Sequence, residues 1–181
     1  MSNMPSEMMR AAELLEVRLD FLQSHTESIA PEEWAGLQPN IRIFIPDWLI
    51  ELHASYRLSG CVMKTVEPVE NLTLYFRFCV PNTLSSIFGD EDLFVLIENG
   101  YFPVAEELNG NHWLLKTKDG PDSEMFLFES TSWNRSSEGL ERALTFASER
   151  LSYAMLSMEI DSDSRHPSNG CMWSRVEREE G

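Results

Sequence analysis

Apolar residues recur along this chain with two different periods, and the places where the period changes mark out its elements. Over residues 6–23, Ala11, Leu14, Leu15, Phe21 and Leu22 supply an apolar stripe at helical spacing, and Glu7 stands in the first turn, where the helix dipole favours negative charge. Residues 24–42 hold Pro31 and Pro39 and read as a loop with a helical turn at 31–36. The best-marked helix spans 46–59. Pro46 suits a first helical position because its missing N–H would have no partner there, and Asp47 beside it suits the dipole. Ile45, Leu49, Leu52 and Tyr56 follow at spacings of four, three and four, which makes one buried face, and Gly60 is placed to close the helix.

The period then drops to two. In 72–80, Leu72, Leu74, Phe76, Phe78 and Val80 alternate with Thr73, Tyr75, Arg77 and Cys79, as a strand with one buried face requires, and Pro81 ends it. A short helix is expected over 90–99, capped by Asp90, with Leu93, Leu96 and Ile97 buried and Gly100 closing it. Three strands follow at 102–107, 112–117 and 124–129. The first two pivot on Asn109-Gly110, the pair a tight type I′ turn favours because that turn needs positive φ at both central positions. Leu140, Leu144, Ala147, Leu151, Ala154 and Met158 then repeat at four, three, four, three and four, which predicts a helix over 138–158 packed on the sheet. Residues 159–181 show no period, are rich in Ser, Asp, Glu and Gly, and read as a flexible tail. The fold class expected is α+β: one domain over 1–158, with a largely antiparallel sheet of four or more strands flanked by helices.

Composition narrows the function. The 181 residues suit one core of ordinary size, and 43% hydrophobic content suits a folded chain. No apolar run reaches the roughly 18 residues of a membrane span, and no basic-then-apolar leader opens the sequence, so a cytoplasmic protein is expected. Cys61, Cys79 and Cys171 are odd in number and never two residues apart, so neither a disulfide framework nor a zinc site is indicated. Thirty acids against fourteen bases give a net charge of −16, and residues 20–158 alone carry 21 acids and 9 bases. Such a surface repels nucleic acid and anionic membranes and attracts basic partners.

Catalytic patterns are missing from the sequence. His25, His53, His112 and His166 stand in no metal-ligand spacing, and neither GxSxG, GxxxxGK[ST] nor GxGxxG occurs. No catalytic, cofactor or metal residue is assigned. Asp90, Glu91 and Asp92 resemble a metal triplet but also suit helix capping, and Glu106-Glu107 flank the hairpin. These five carboxylates are the candidate partner-binding residues, as an acidic face.

The order of these elements resembles the SUKH superfamily, the Smi/Knr-like proteins. Ile45-Pro46 ahead of a helix that Gly60 follows is similar to that family's LP helix ending on glycine. Tyr101-Phe102-Pro103-Val104-Ala105, then Asn109-Gly110-Asn111 and Trp113-Leu114-Leu115, is similar to its hairpin block, although the second turn glycine is absent, Leu115-Lys116 replaces the usual small acidic ending, and Cys61 follows the helix glycine. The resemblance covers residues 37–158. It implies a non-enzymatic α+β domain and, for bacterial members, immunity against polymorphic toxins, often nucleases, whose basic phosphate-holding surface an acidic inhibitor suits. A regulatory scaffold with several signalling partners and a small-molecule sensor are the alternatives. The sequence leaves the oligomeric state open.

Overall fold

The computed structural model describes residues 4–67, 72–89, 93–116 and 120–161. The chain opens with α1 (Ser6–Phe21), the short helices α2 (Pro31–Ala35) and α3 (Pro39–Arg42), and α4 (Asp47–Ser55). Strands β1 (Val62–Thr65) and β2 (Tyr75–Phe78) follow, then α5 (Pro81–Gly89) and α6 (Phe94–Glu98). Next come β3 (Phe102–Glu106), β4 (His112–Leu115) and β5 (Met125–Phe128), a helical turn at Ser130–Ser132, and α7 (Ser137–Leu140). β6 (Leu144–Ser148), α8 (Leu151–Ser157) and β7 (Met158–Ile160) complete it. This is an α+β fold.

The strands form one antiparallel sheet in the order β6-β5-β4-β3-β2-β1-β7. Six of them are a meander, so each pairs with its neighbour in sequence. β7 breaks the rule by returning to the far edge beside β1. A flat sheet with six gaps of about 4.8 Å would be roughly 29 Å wide. The link from Ser148 to Met158 contains a seven-residue helix that rises only about 10 Å. The sheet therefore curls, bringing its two edges within reach of α8.

Alternation along the strands divides the core in two. Trp113, Leu115, Met125 and Leu127 point into the main core with α1, α4, α5 and α8, whereas Leu114 and Phe128 point to the opposite face. There they meet Leu96, Trp133, Leu140 and Ala143. Helices thus cover both faces of the sheet.

Local chemistry sets several element ends. α6 closes through Gly100 at φ +83, with Gly100 N–H donating to Ile97 O (3.0 Å) and Tyr101 N–H to Leu96 O (2.8 Å). α4 stops at Ser55, and Gly60 belongs to the turn entering β1 rather than to the helix cap. The hairpin between β3 and β4 turns on Asn109-Gly110, but only Gly110 has positive φ, at +89. Gly110 N–H donates to Glu107 O and Glu107 N–H to Asn111 O, which is a three-residue loop ending on a left-handed glycine and not the two-residue type I′ turn.

The expected helix over 138–158 is four elements instead: α7, a helical turn at Glu141–Ala143, β6 and α8. Leu151 is fully buried, while Leu144 sits partly exposed in an edge strand. Gly139 serves a tight corner: a Cβ there would lie 2.0 Å from Asn134 Oδ1. In α1 the buried side chains are Met8, Ala11, Ala12, Leu15 and Leu19, so Leu14, Phe21 and Leu22 of the expected stripe face outward. Of the tail expected from 159, the first residues belong to β7, and 162–181 lie outside the described residues.

Candidate binding surfaces

The carboxylates at the hairpin are built into it. β3 and β2 pair in register Arg77↔Glu106, and the Arg77 guanidinium forms an ion pair with Glu106 across the strands. Glu107 is buried. Its side chain accepts from Tyr75 N–H at 3.4 Å and from Asn111 Nδ2 at 3.2 Å, so it knits the turn to β2. Trp113 Nε1 donates to Tyr75 O at 2.7 Å on the same spot. The remaining candidates, Asp90, Glu91 and Asp92, lie outside the described residues.

A second acidic group is assembled by the tertiary structure from elements far apart in sequence. α1 contributes Glu13 and Glu16, and α4 contributes Glu51, all around Tyr56, while Asp20 extends the α1 row to Arg57. Partial burial and the field of Glu13, Glu16 and Glu51 push the Tyr56 phenol above its ordinary range. Arg57 tempers one end, at 2.5 Å from Asp20 and 3.5 Å from Glu16, and its backbone N–H donates to Glu16 at 2.7 Å. Positions 13, 16 and 20 are spaced three and four apart, so the α1 half was legible as a polar stripe. The addition of Glu51 was not.

Four further basic side chains among the described residues are engaged. Arg42 faces Asp47, Lys64 faces Asp161 and Glu159, Lys116 holds Glu124 at 2.9 Å, and Arg150 holds Glu7 at 2.5 Å. Neutralising contacts of this kind leave the large excess of carboxylates to set the sign of the surface potential.

Two of the histidines and two of the cysteines pack into the interior. His53 is fully buried between Trp34 (centroids 5.4 Å apart) and Phe78 (5.5 Å, edge-on), and neither ring nitrogen has a hydrogen-bond partner among the described residues. Burial lowers its pKa to about 3, so the ring is neutral at physiological pH. His112 packs against Phe128 and is lowered to about 4 by the same cause. Burial pushes the Cys61 thiol up to about 12 and that of Cys79 well above its ordinary value, which keeps both protonated and unreactive. Among the described residues no group of three or more His, Cys, Asp and Glu side chains is placed to hold a metal ion, and no helix is long and apolar enough to cross a membrane.

A shallow groove of about 230 Å³ runs between α1 and α8, lined by Glu7, Arg10, Leu14, Ser152, Tyr153 and Leu156. Its lining is mostly apolar, and it brings no set of convergent ionisable groups together. These surfaces and this fold define a class: an α+β domain on a curled antiparallel sheet, offering an acidic flank and an apolar groove. Compared with protein-family models, with curated proteins and with solved structures, the chain matches none.

Proposed function

We propose that this chain is a non-enzymatic cytosolic binding protein that neutralises a basic, nuclease-type toxin, as the resemblance to SUKH immunity proteins implies. The observation that carries the reading is the net charge of −16, joined to the ion pairs that engage Arg57, Arg77, Lys116 and Arg150 within the chain. An acidic face of this kind accelerates encounter with a basic partner and fixes its orientation more than it adds raw affinity.

The geometry chooses which carboxylates to test. Reversing Glu107 would break the hairpin's own bonds, and reversing Glu106 would set a second cation beside Arg77. Glu13 and Glu51 lie on the surface of α1 and α4 and hold no such internal role among the described hydrogen bonds. The experiment pairs the chain with the basic protein that co-purifies with it from the native host and follows association by surface plasmon resonance at two salt concentrations. The charge reversals Glu13→Lys and Glu51→Lys should each slow association several-fold with the circular dichroism spectrum unchanged. Association in the parent should also slow as salt rises, since screening cuts the reach of the field to about 8 Å at physiological ionic strength. Association that ignores both salt and the reversals would assign the acidity to solubility alone.

A further inference from the structure

The two edges of the sheet are finished differently. At β7, Asp161 N–H donates to Val62 O (2.9 Å), so the alternation of the ladder points the backbone of Glu159 towards β1 and that of Met158 away from it. The Arg18 guanidinium of α1 blunts that edge by donating to Met158 O at 2.8 Å. At β6, Glu129 N–H donates to Ala143 O (3.0 Å), so Ala143 and Thr145 face β5 and the backbone of Leu144 and Phe146 faces outward. β6 ends the sheet, and among the described residues no strand flanks its outer side. The strand LTFAS holds neither a charge nor a proline, the usual devices that keep an open edge from pairing. Thr145 and Phe146 are both exposed. Phe146 also ends an edge-on aromatic row with Tyr101 and Phe126, whose successive centroids lie 5.7 and 6.0 Å apart.

This edge is complementary to itself. Residues 141–150 read ERALTFASER, with one acid and one base at each end and none between. Two chains of net charge −16 repel each other, and a charge-balanced edge is where they approach at least cost. A two-fold axis through Thr145 would run β6 antiparallel to the partner's β6, because the two outward-facing residues, Leu144 and Phe146, flank that position. Leu144 then lies opposite the partner's Phe146, with their free backbone groups in hydrogen-bonding register, and Thr145 lies against the partner's Thr145. Apolar–aromatic and Thr–Thr pairs are among those that stabilise neighbouring strands. The same axis brings Arg142 alongside the partner's Glu149. Both side chains are exposed, and neither has an ion-pair partner among the described residues.

We propose that β6 is a self-association edge: two copies of the chain pair through Leu144–Phe146 about a two-fold axis and join their sheets into one. The register shift in β6 between Phe146 and Ser148 keeps the ladder short. Its area falls well below the roughly 1,200 Å² of a stable interface, so the dimer is weak, fills near millimolar concentration and leaves the chain single in dilute solution. Neither Glu13 nor Glu51 belongs to this edge, and the pairing stands apart from the toxin-binding reading.

The test follows the full chain by sedimentation equilibrium and by amide hydrogen exchange, from low micromolar concentration to about 1 mM. The average mass should rise towards that of two chains, and exchange of the Phe146 amide should slow while that of Thr145, bonded to β5, stays constant. Arg142→Glu should weaken association roughly tenfold, since the axis counts each substitution twice, and Arg142→Glu with Glu149→Arg should restore it. Phe146→Pro removes an outward N–H but no bond to β5, and should abolish association with the circular dichroism spectrum unchanged. A single sedimenting species throughout would overturn the proposal, as would a double exchange that restores nothing. Protection of the Phe146 amide at every concentration would mean that the chain covers its own edge. Association indifferent to Arg142→Glu and Phe146→Pro would place the contact on another surface. Either result also sinks the pairing.

Discussion

His53 is the residue whose environment departs furthest from its chemistry. Its neutral ring fills the space between Trp34 and Phe78, and protonating it there would bury an uncompensated charge. The folded pKa of about 3 lies below the ordinary 6.5, so the unfolded chain takes up the proton first. Its contribution to stability is complete above about pH 6.5 and is lost as the pH falls towards 3, at about 1.4 kcal/mol per pH unit for one proton. His112, lowered to about 4, steepens the upper part of the same limb. Urea denaturation from pH 7 to pH 4 should show this loss, and His53→Phe should flatten it; an equally steep limb in the variant would place the acid sensitivity elsewhere. Gly110 makes a second residue-scale case. Nothing stands within 4 Å of a Cβ built there, so the objection to a side chain is its φ of +89 alone. Gly110→Val should cost about 1–2 kcal/mol of backbone strain, read as a lower thermal midpoint. Equal midpoints would show a turn that relaxes freely.

At the scale of elements, the last third of the chain is the most instructive. Six apolar residues at spacings of four and three look like one helix, yet the same stretch holds Leu144, Phe146 and Ser148 at a spacing of two. Both patterns are present locally, and pairing with β5 decides between them: Leu144 lies opposite Phe128, and Phe146 opposite Phe126. A strand needs partners far away in sequence, and no local pattern states that they are there. The two readings differ measurably. Leu151→Ala should cost about 2–5 kcal/mol because that side chain is fully buried, while Leu144→Ala, at a half-covered edge, should cost under half as much. Equal costs in chemical denaturation would argue that Leu144 is as enclosed as a long packed helix would make it. α5 and the strands β1, β6 and β7 were not foreseen either. β1 and β7 are three to four residues long and acquire their identity by pairing with each other.

For the whole molecule, like-charge repulsion outweighs the surface ion pairs. A net charge of −16 in a compact shape opposes folding, whereas the ion pairs of Lys116 and Arg150 are exposed and contribute little, about 0–1 kcal/mol each. Raising the ionic strength from about 0.01 M to about 0.15 M shortens the screening length from about 30 Å to about 8 Å. The thermal midpoint of the isolated chain should therefore rise by a few degrees over that range. A falling midpoint would mean that the ion pairs outweigh the repulsion.

The sequence alone determined what is local: the helical α1 and α4, the alternating Phe76 and Phe78 that are buried in β2, the hairpin at Asn109-Gly110, the α6 stop at Gly100, and the acidity. Each of these follows from side-chain period, from a glycine's freedom at positive φ or from a count of charges. Only the tertiary structure decided which way α1 faces: Ala11 and Leu15 turn into the core, while Leu14 and Phe21 of the same expected stripe stay outside. It also decided that Glu106 and Glu107 are committed to Arg77, Tyr75 and Asn111, and that Glu51 joins Glu13 and Glu16. The physical reason is the same each time: a side chain's partner is chosen by the packing of remote segments, and the curl that lets β7 reach β1 is a property of the whole sheet, not of any stretch of chain.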